Sequence, residues 1–325
     1  MYDSTAIVDL RDRTEYELWL LEAVHEIVDQ RLAVEGMDEL IYPPNGGPPG
    51  QTIYGIGRMN IGDWRPGFLK AGAPLVFVTA FKLLDMLLEW VLQENGQSST
   101  HSFVQKIVAL RKSVQFPQVI ETRSWLRDRL VGLYEGLEPL RGTVIHSRHF
   151  TTSDGGLDVS SSKHGVVGPR ITVSAADLRN IALTVVSLLR YIEGSWSMDL
   201  FRERRIRRAL DEVSHLHGQP LLGQLPPGFL TVRVYVLAEG PIQWNIKTIR
   251  QDVAAKRPGQ DVIFDLRIVA VSRDGTGLSA YLIPWDQIEN SIASKTLSDL
   301  GKFAVAPPAE LDVQSIAHDL QGRDD

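Results

Sequence analysis

Apolar positions three and four residues apart dominate the first half of the chain. Leu18, Leu21, Val24, Val28 and Leu32 predict an amphipathic helix over 11–35, with Gly36 as its stop. A Pro- and Gly-rich segment over 42–67, beginning Tyr42-Pro43-Pro44-Asn45-Gly46-Gly47-Pro48-Pro49-Gly50, reads as a long loop. The most apolar stretch follows, Leu75 to Leu92. Pro74 suits the first turn of a helix there and Gly96 ends it. Within it, Lys82, Asp85 and Glu89 fall at offsets of three and four, one polar stripe, which predicts a core helix and not a membrane span. Ser98-Ser99-Thr100 offers N-caps for a helix over 101–114. A further helix over 118–138 places Trp125, Leu126, Leu130, Leu133 and Leu137 on one side, and Pro139 either kinks it or starts a new one. Residues 150–173 read as an irregular hairpin turning at Asp154-Gly155-Gly156. Ser174 and Asp177 have capping-box spacing and open a helix through Ile192.

The pattern then changes. Residues 197–216 form a basic helix, and Pro220 to Gly228 is a Pro/Gly linker. Alternation over Thr231–Leu237 predicts a strand, Asn245–Lys256 a helix, and Val262–Val271 with Leu278–Ile283 two strands joined at Asp274-Gly275. The fold class expected is therefore multidomain. An N-terminal all-α bundle with an inserted hairpin covers 1–196, a basic helix and linker 197–228, a small α+β domain 229–305 and a tail 306–325.

Composition narrows the chemistry. The chain has 325 residues, 43% apolar and 23% charged, enough for a sizeable core. A net charge of -6 makes it no general polyanion binder, so any nucleic-acid contact needs a local basic patch. With no cysteine, disulfides, thiolate metal sites and cysteine nucleophiles are excluded, and a reducing, cytoplasmic setting fits. Met1-Tyr2-Asp3-Ser4 is not a basic region leading into an apolar core, so no secretory signal is expected. No membrane partner and no cofactor are expected either.

The candidate chemistry lies at Leu140-Arg141-Gly142-Thr143-Val144-Ile145-His146. An arginine can stabilise charge on a phosphate and a histidine can move protons, so the pair can cleave a phosphodiester without a metal. On an ideal helix the two stand roughly 140° apart around the axis and about 7.5 Å apart along it. A bent arginine side chain or a second copy of the chain would have to bring them together. The competing reading is a capping arginine and a polar-tipped histidine at a helix end.

The motif, the preceding Thr79-Ala80-Phe81-Lys82-Leu83-Leu84-Asp85-Met86-Leu87-Leu88-Glu89-Trp90 and the run of helices make the first 195 residues resemble a HEPN domain. That resemblance implies a four- or five-helix bundle, a homodimer whose motifs line one cleft, and RNA as substrate. It also implies Arg141 and His146 as catalytic residues of a metal-independent endoribonuclease, of the kind found in toxin and antiviral defence systems. Active members usually carry Asn, Asp or His directly after the arginine, where this chain has Gly142. The alternative it leaves is a catalytically inactive module that dimerises or binds RNA or a regulatory protein.

Further basic residues extend the picture. Arg148 and His149 either widen a phosphate-binding surface or are solvated. The run Arg202-Glu203-Arg204-Arg205-Ile206-Arg207-Arg208 is either an RNA-backbone track, through Arg204, Arg205, Arg207 and Arg208, or a solvated helix among acidic neighbours. No metal site is expected, because His146 with His149 lacks a nearby carboxylate and His215-Leu216-His217 lacks a third ligand. Trp244 and Trp285 either stack on a base or ligand or belong to the core of a small sheet.

Overall fold

The computed structural model describes residues 2–28, 35–56, 66–97, 102–112, 114–147, 150–153, 155–163, 166–226, 228–288, 292–309 and 311–322. The helices are α1 (Ser4–Val28), α2 (Pro66–Glu94), α3 (Phe103–Arg111), α4 (Gln118–Glu121), α5 (Ser124–Gly142), α6 (Ala175–Ile192), α7 (Leu200–Glu212), α8 (Ser214–His217), α9 (Ile246–Lys256), α10 (Leu297–Leu300) and α11 (Val313–Gln321). The strands are β1 (Glu35–Ile41), β2 (Gly50–Ile56), β3 (Phe150–Ser153), β4 (Gly156–Lys163), β5 (Val166–Val173), β6 (Gly228–Leu237), β7 (Ile242–Asn245), β8 (Val262–Val271), β9 (Leu278–Ile283), β10 (Ile292–Lys295) and β11 (Ala304–Val305). The protein is thus mixed α/β. Among the described residues no helix is long and apolar enough to cross a membrane.

The chain divides into two compact units, and neither is one continuous segment. The first comprises Met1–Val34, Arg58–Glu193 and Ile206–Gly223; the second comprises Glu35–Gly57, Gly194–Arg205 and Gln224–Asp325. This departs from the linear division at 196 and 228. A segment near the N-terminus supplies strands to the second unit, and α7 contributes residues to both.

The first unit is built around α2. Val76, Phe77, Leu83, Leu84, Leu87, Leu88, Trp90 and Val91 are all buried, so apolar residues surround the helix instead of forming one stripe. Each such side chain contributes about 1.5–3 kcal/mol relative to exposure. The Trp90 indole donates to the Ala6 carbonyl at 3.1 Å, which satisfies its one polar atom. Helix α6 opens with the expected capping box: the Ser174 hydroxyl accepts from the Asp177 N–H, and the Asp177 carboxylate accepts from the Ser174 N–H at 2.7 Å. Such a cap stabilises a helix by about 1 kcal/mol.

Five expectations for this unit need correction. The hairpin over 150–173 is a three-stranded antiparallel sheet, β3-β4-β5, because Val166–Val173 pairs with β4 as well. The helix read over 11–35 is α1, Ser4–Val28, and Gly36 lies in β1. Pro74 does not stand in a first turn but inside α2, and Pro139, likewise inside α5, starts no new helix. The cap of α3 is Ser102, whose hydroxyl accepts from the Gln105 N–H at 3.2 Å; Ser98-Ser99-Thr100 lies outside the described residues.

The second unit carries a six-stranded sheet ordered β11-β9-β8-β6-β1-β2. Its centre, β1-β6-β8, is parallel, and the outer pairings are antiparallel. Helix α9 lies between β6 and β8 in the chain, as parallel neighbours require. Alternation sorts the side chains. Leu230, Val232, Phe264, Leu266 and Ile268 pack with Ile246, Ile249 and Val253 of α9 on one face. On the other face Val269 and Val271 pack with Ile316, Ala317 and Leu320 of α11, which makes the expected tail part of the core. That face also buries charge. The Glu39 carboxylate, 0% exposed, accepts from Arg233 Nε at 2.9 Å and Nη2 at 2.6 Å, and Arg267 Nη1 lies 3.5 Å away. The bidentate pairing ties β1 to β6 and makes burial of the carboxylate tolerable. The segment read as a loop over 42–67 therefore contains strand β2, paired with β1 along Glu35↔Ile56 to Ile41↔Gly50.

Candidate functional site

Arg141 is the last charged residue of α5, half-exposed, with its guanidinium carbon 5.7 Å from the centre of the Phe81 ring on α2. Phe81 and Asp85 are four apart on α2, and Tyr134 and Arg141 seven apart on α5, so each pair shares a helix face. Tyr134 stacks on Phe81 at 5.5 Å between ring centres, and its hydroxyl donates to Asp85. Lys106 of α3 closes the cluster, donating to Asp85 at 2.9 Å and to Glu89. Burial, together with Asp85 and Glu89, pushes the Tyr134 phenol well above its ordinary value, opposed by the positive charge of Arg141. Burial works against the Lys106 ammonium, but its two carboxylate partners outweigh it and raise its pKa. Both groups hold their protons at neutral pH. Among the described residues, no carboxylate or carbonyl takes a hydrogen bond from Arg141.

The chain then changes winding. The Thr143 hydroxyl donates to the Pro139 carbonyl at 3.1 Å, beside the Thr143 N–H, which keeps its helical bond to the same carbonyl. Thr143–Ser147 form a π-helical turn carrying His146, which is exposed. A π turn advances about 80° per residue where an α turn advances about 100°. Winding the second half of the motif this way reduces the angle between Arg141 and His146 from about 140° to under about 90°. By that idealised winding the two residues fall on adjoining faces of one rod. No contact joins their side chains among the described residues. Arg148 and His149 lie outside the described residues.

The arginine run is not one track. Arg202 lies 2.9 Å from both the Asp199 carboxylate and the Ser197 carbonyl. Arg204 is exposed, its guanidinium 5.3 Å from the Phe229 ring centre, and Arg205 is half-buried and engaged. Arg207 lies 5.4 Å over the Trp125 ring and donates to the Leu222 carbonyl at 2.9 Å. Arg208 is exposed and paired with Glu212 at 2.8 Å. The outward-facing cations reduce to Arg204 and Arg208, one turn apart. Of the histidines, His217 accepts at Nδ1 from the Gln219 N–H at 3.1 Å, so its Nε2–H donates to the Leu210 carbonyl at 2.9 Å. Both ring nitrogens are engaged in structure.

The residues that the sequence did not single out are Tyr134 and Lys106. Asp85 and Glu89 stood out only as a polar stripe with Lys82. Here that stripe divides: Lys82 pairs with Glu17 of α1, while the two acids face α3 and α5. The seven-residue step from Tyr134 to Arg141 is the signal that could have placed them together. No family model, no curated protein and no solved structure matches the chain.

Proposed function

We propose that the helical first unit is a HEPN-like module acting in the cytoplasm as a metal-independent endoribonuclease, with Arg141 and His146 as its catalytic pair. The observation that carries the reading is the π turn, since winding at about 80° per residue brings the exposed His146 nearer in angle to Arg141 than an α turn does. His146 takes the proton of a ribose 2′-OH; the 2′ oxygen attacks the adjacent phosphorus, the bond from phosphorus to the 5′ oxygen breaks, and that oxygen takes a proton from water. Arg141 donates to the non-bridging oxygens as negative charge builds on them. The products are a 2′,3′-cyclic phosphate and a free 5′-OH. A homodimer would supply a second motif to the same RNA, and Arg208 is the cation of the run within the first unit with the exposure to hold its backbone.

One observation favours a second reading, a binding module without catalysis. A side chain on Gly142 would meet nothing within 4 Å, so the space where active members of the resembled family carry Asn, Asp or His is open.

The test is cleavage of end-labelled RNA by the full-length protein in EDTA, with analysis of product ends. The wild type should give cyclic phosphate ends, and Arg141→Gln and His146→Gln should each lower the rate by about 10²–10⁴-fold. Absence of cleavage by the wild type, or undiminished cleavage by both variants, would overturn the enzyme reading. RNA binding retained without cleavage would establish the binding module.

A further inference from the structure

Helix α1 carries apolar side chains on two opposite sides. Leu10, Thr14, Glu17 and Leu21 are buried. On the other side Val8, Asp12, Glu15, Tyr16 and Trp19 fall within about 100° of arc. All five are exposed. Trp90 and Trp244 lie in cores at 0% and 8% exposure, whereas Trp19 is 59% and Tyr16 65% exposed. The Tyr16 and Trp19 ring centres are 6.3 Å apart. An aromatic side chain has about 150–250 Å² to bury, so the two rings leave roughly 250 Å² in solvent. A single exposed apolar residue is ordinary, but two adjoining rings on one stripe with Val8 form a patch, and patches mark interaction sites.

The uncommitted charges on this face have one sign. Among the described residues, Asp12 and Glu15 have no ion pair and no side-chain hydrogen bond. The neighbouring cations answer other acids. Arg13 pairs with Asp9 at 2.8 Å, and the charge of Arg11 acts on Glu193 at the end of α6.

We propose that this face of α1 docks a basic amphipathic helix of a partner protein, rich in Lys and Arg and bearing bulky apolar anchors. The anchors cover Val8, Tyr16 and Trp19, and the cations meet Asp12 and Glu15. The same features disfavour other occupants. A second copy would set its own Asp12 and Glu15 against this pair, and two such patches bury well under the roughly 1,200 Å² of a stable interface. RNA and anionic lipid are negative as well. The face shares no residue with the Arg141 site, so the proposal stands whether or not the protein cleaves RNA.

Displayed random peptides of about 16 residues are selected on the full-length protein and counter-selected on Trp19→Ala. The enriched peptides should carry net positive charge and apolar residues at three- and four-residue spacing. The tightest of them is then measured by calorimetry. Tyr16→Ala, at an exposed site with its melting curve unchanged, should weaken it by about tenfold or more. Asp12→Lys combined with Glu15→Lys should do the same, and should remove the loss of affinity that salt causes in the wild type. Enrichment of no Trp19-dependent peptide, or of neutral or acidic ones, overturns the proposal. Equal binding to the Asp12→Lys, Glu15→Lys variant does so too. Self-association in sedimentation, or binding of poly(U) or phosphatidylserine vesicles, that is lost in Trp19→Ala would overturn it in favour of that occupant.

Discussion

The middle and the end of helix α5 carry the same residue types to opposite purposes. In the middle, Arg129 is 9% exposed and donates to the Pro220 carbonyl at 2.6 Å, and Gly132 and Gly136 let the segment after α7 lie against the helix. At the end, Arg141 is half-exposed over the Phe81 ring, and among the described residues nothing lies within 4 Å of a Cβ built on Gly142. One arginine spends its donors on a carbonyl, and one glycine makes room for a neighbour's backbone. Among the described residues, the other arginine gives its donors to no carbonyl or carboxylate, and a Cβ on the other glycine meets nothing within 4 Å. Residue type is the same in both places; what differs is whether the surroundings use it.

The sharpest way to break this comparison is at Gly136. A Cβ there would overlap the Leu216 carbonyl oxygen of α8, which is backbone and cannot rotate aside. Gly136→Ala should lower unfolding free energy by about 3 kcal/mol or more, measured by urea denaturation. A loss within experimental error would mean that α8 does not pack on α5 this closely. Arg129→Met comes next. It keeps the apolar stem and leaves the Pro220 carbonyl without its donor, which should cost about 1–3 kcal/mol in the same measurement. Neither substitution removes a group from the Arg141 site.

His217, in the same clamp, gives the comparison a pH axis. Burial, assisted by the Arg129 charge, lowers its pKa below the ordinary 6.5, against the hydrogen bond to Leu210. The folded protein therefore holds this ring neutral where the unfolded chain binds a proton. Its contribution is fully present above the unfolded value of about 6.5 and declines as pH falls below it, by at most about 1.4 kcal/mol per pH unit. The stability of His217→Gln should accordingly fall less than that of the wild type between pH 7 and pH 5. Parallel curves for the two proteins would show that the ring protonates freely in the folded state.

The clamp also marks how far local pattern reaches. The cores of α2 and α6, the capping box at Ser174 and the strands Val262–Val271 and Leu278–Ile283 follow from periodicity and turn residues, and they lie where those signals put them. Strand β1 does not. It places Glu39 at a buried position, and that carboxylate is tolerable only beside Arg233, about two hundred residues further along the chain. No window of sequence contains both partners, so Glu35–Ile41 lacks the alternation of a buried strand. Strand β5 is obscured in a similar way by Gly168 and Pro169. At the candidate site the arginine–histidine spacing was legible and its geometry was not. The winding changes after α5, over Thr143–Ser147, and spacing alone does not encode that change.

The smallest expected effect is at the open end of the helix, and it separates the two functional readings. Gly142 is helical, its φ is not positive, and the space around it is empty. Gly142→Ala should therefore raise stability by about 0.5–1 kcal/mol, the reverse of the loss at Gly136, since a Cβ here meets nothing and restricts only the unfolded chain. Gly142→Asn uses the same space for a polar side chain one residue from Arg141. If the site cleaves RNA and is weakened by the missing side chain, the variant should cleave faster than the wild type with Tm nearly unchanged. An identical rate would show that position 142 plays no part. Cleavage gained by a previously silent protein would mean that the binding module is one side chain short of an enzyme, because nothing else in the arrangement of Arg141 and His146 would have changed.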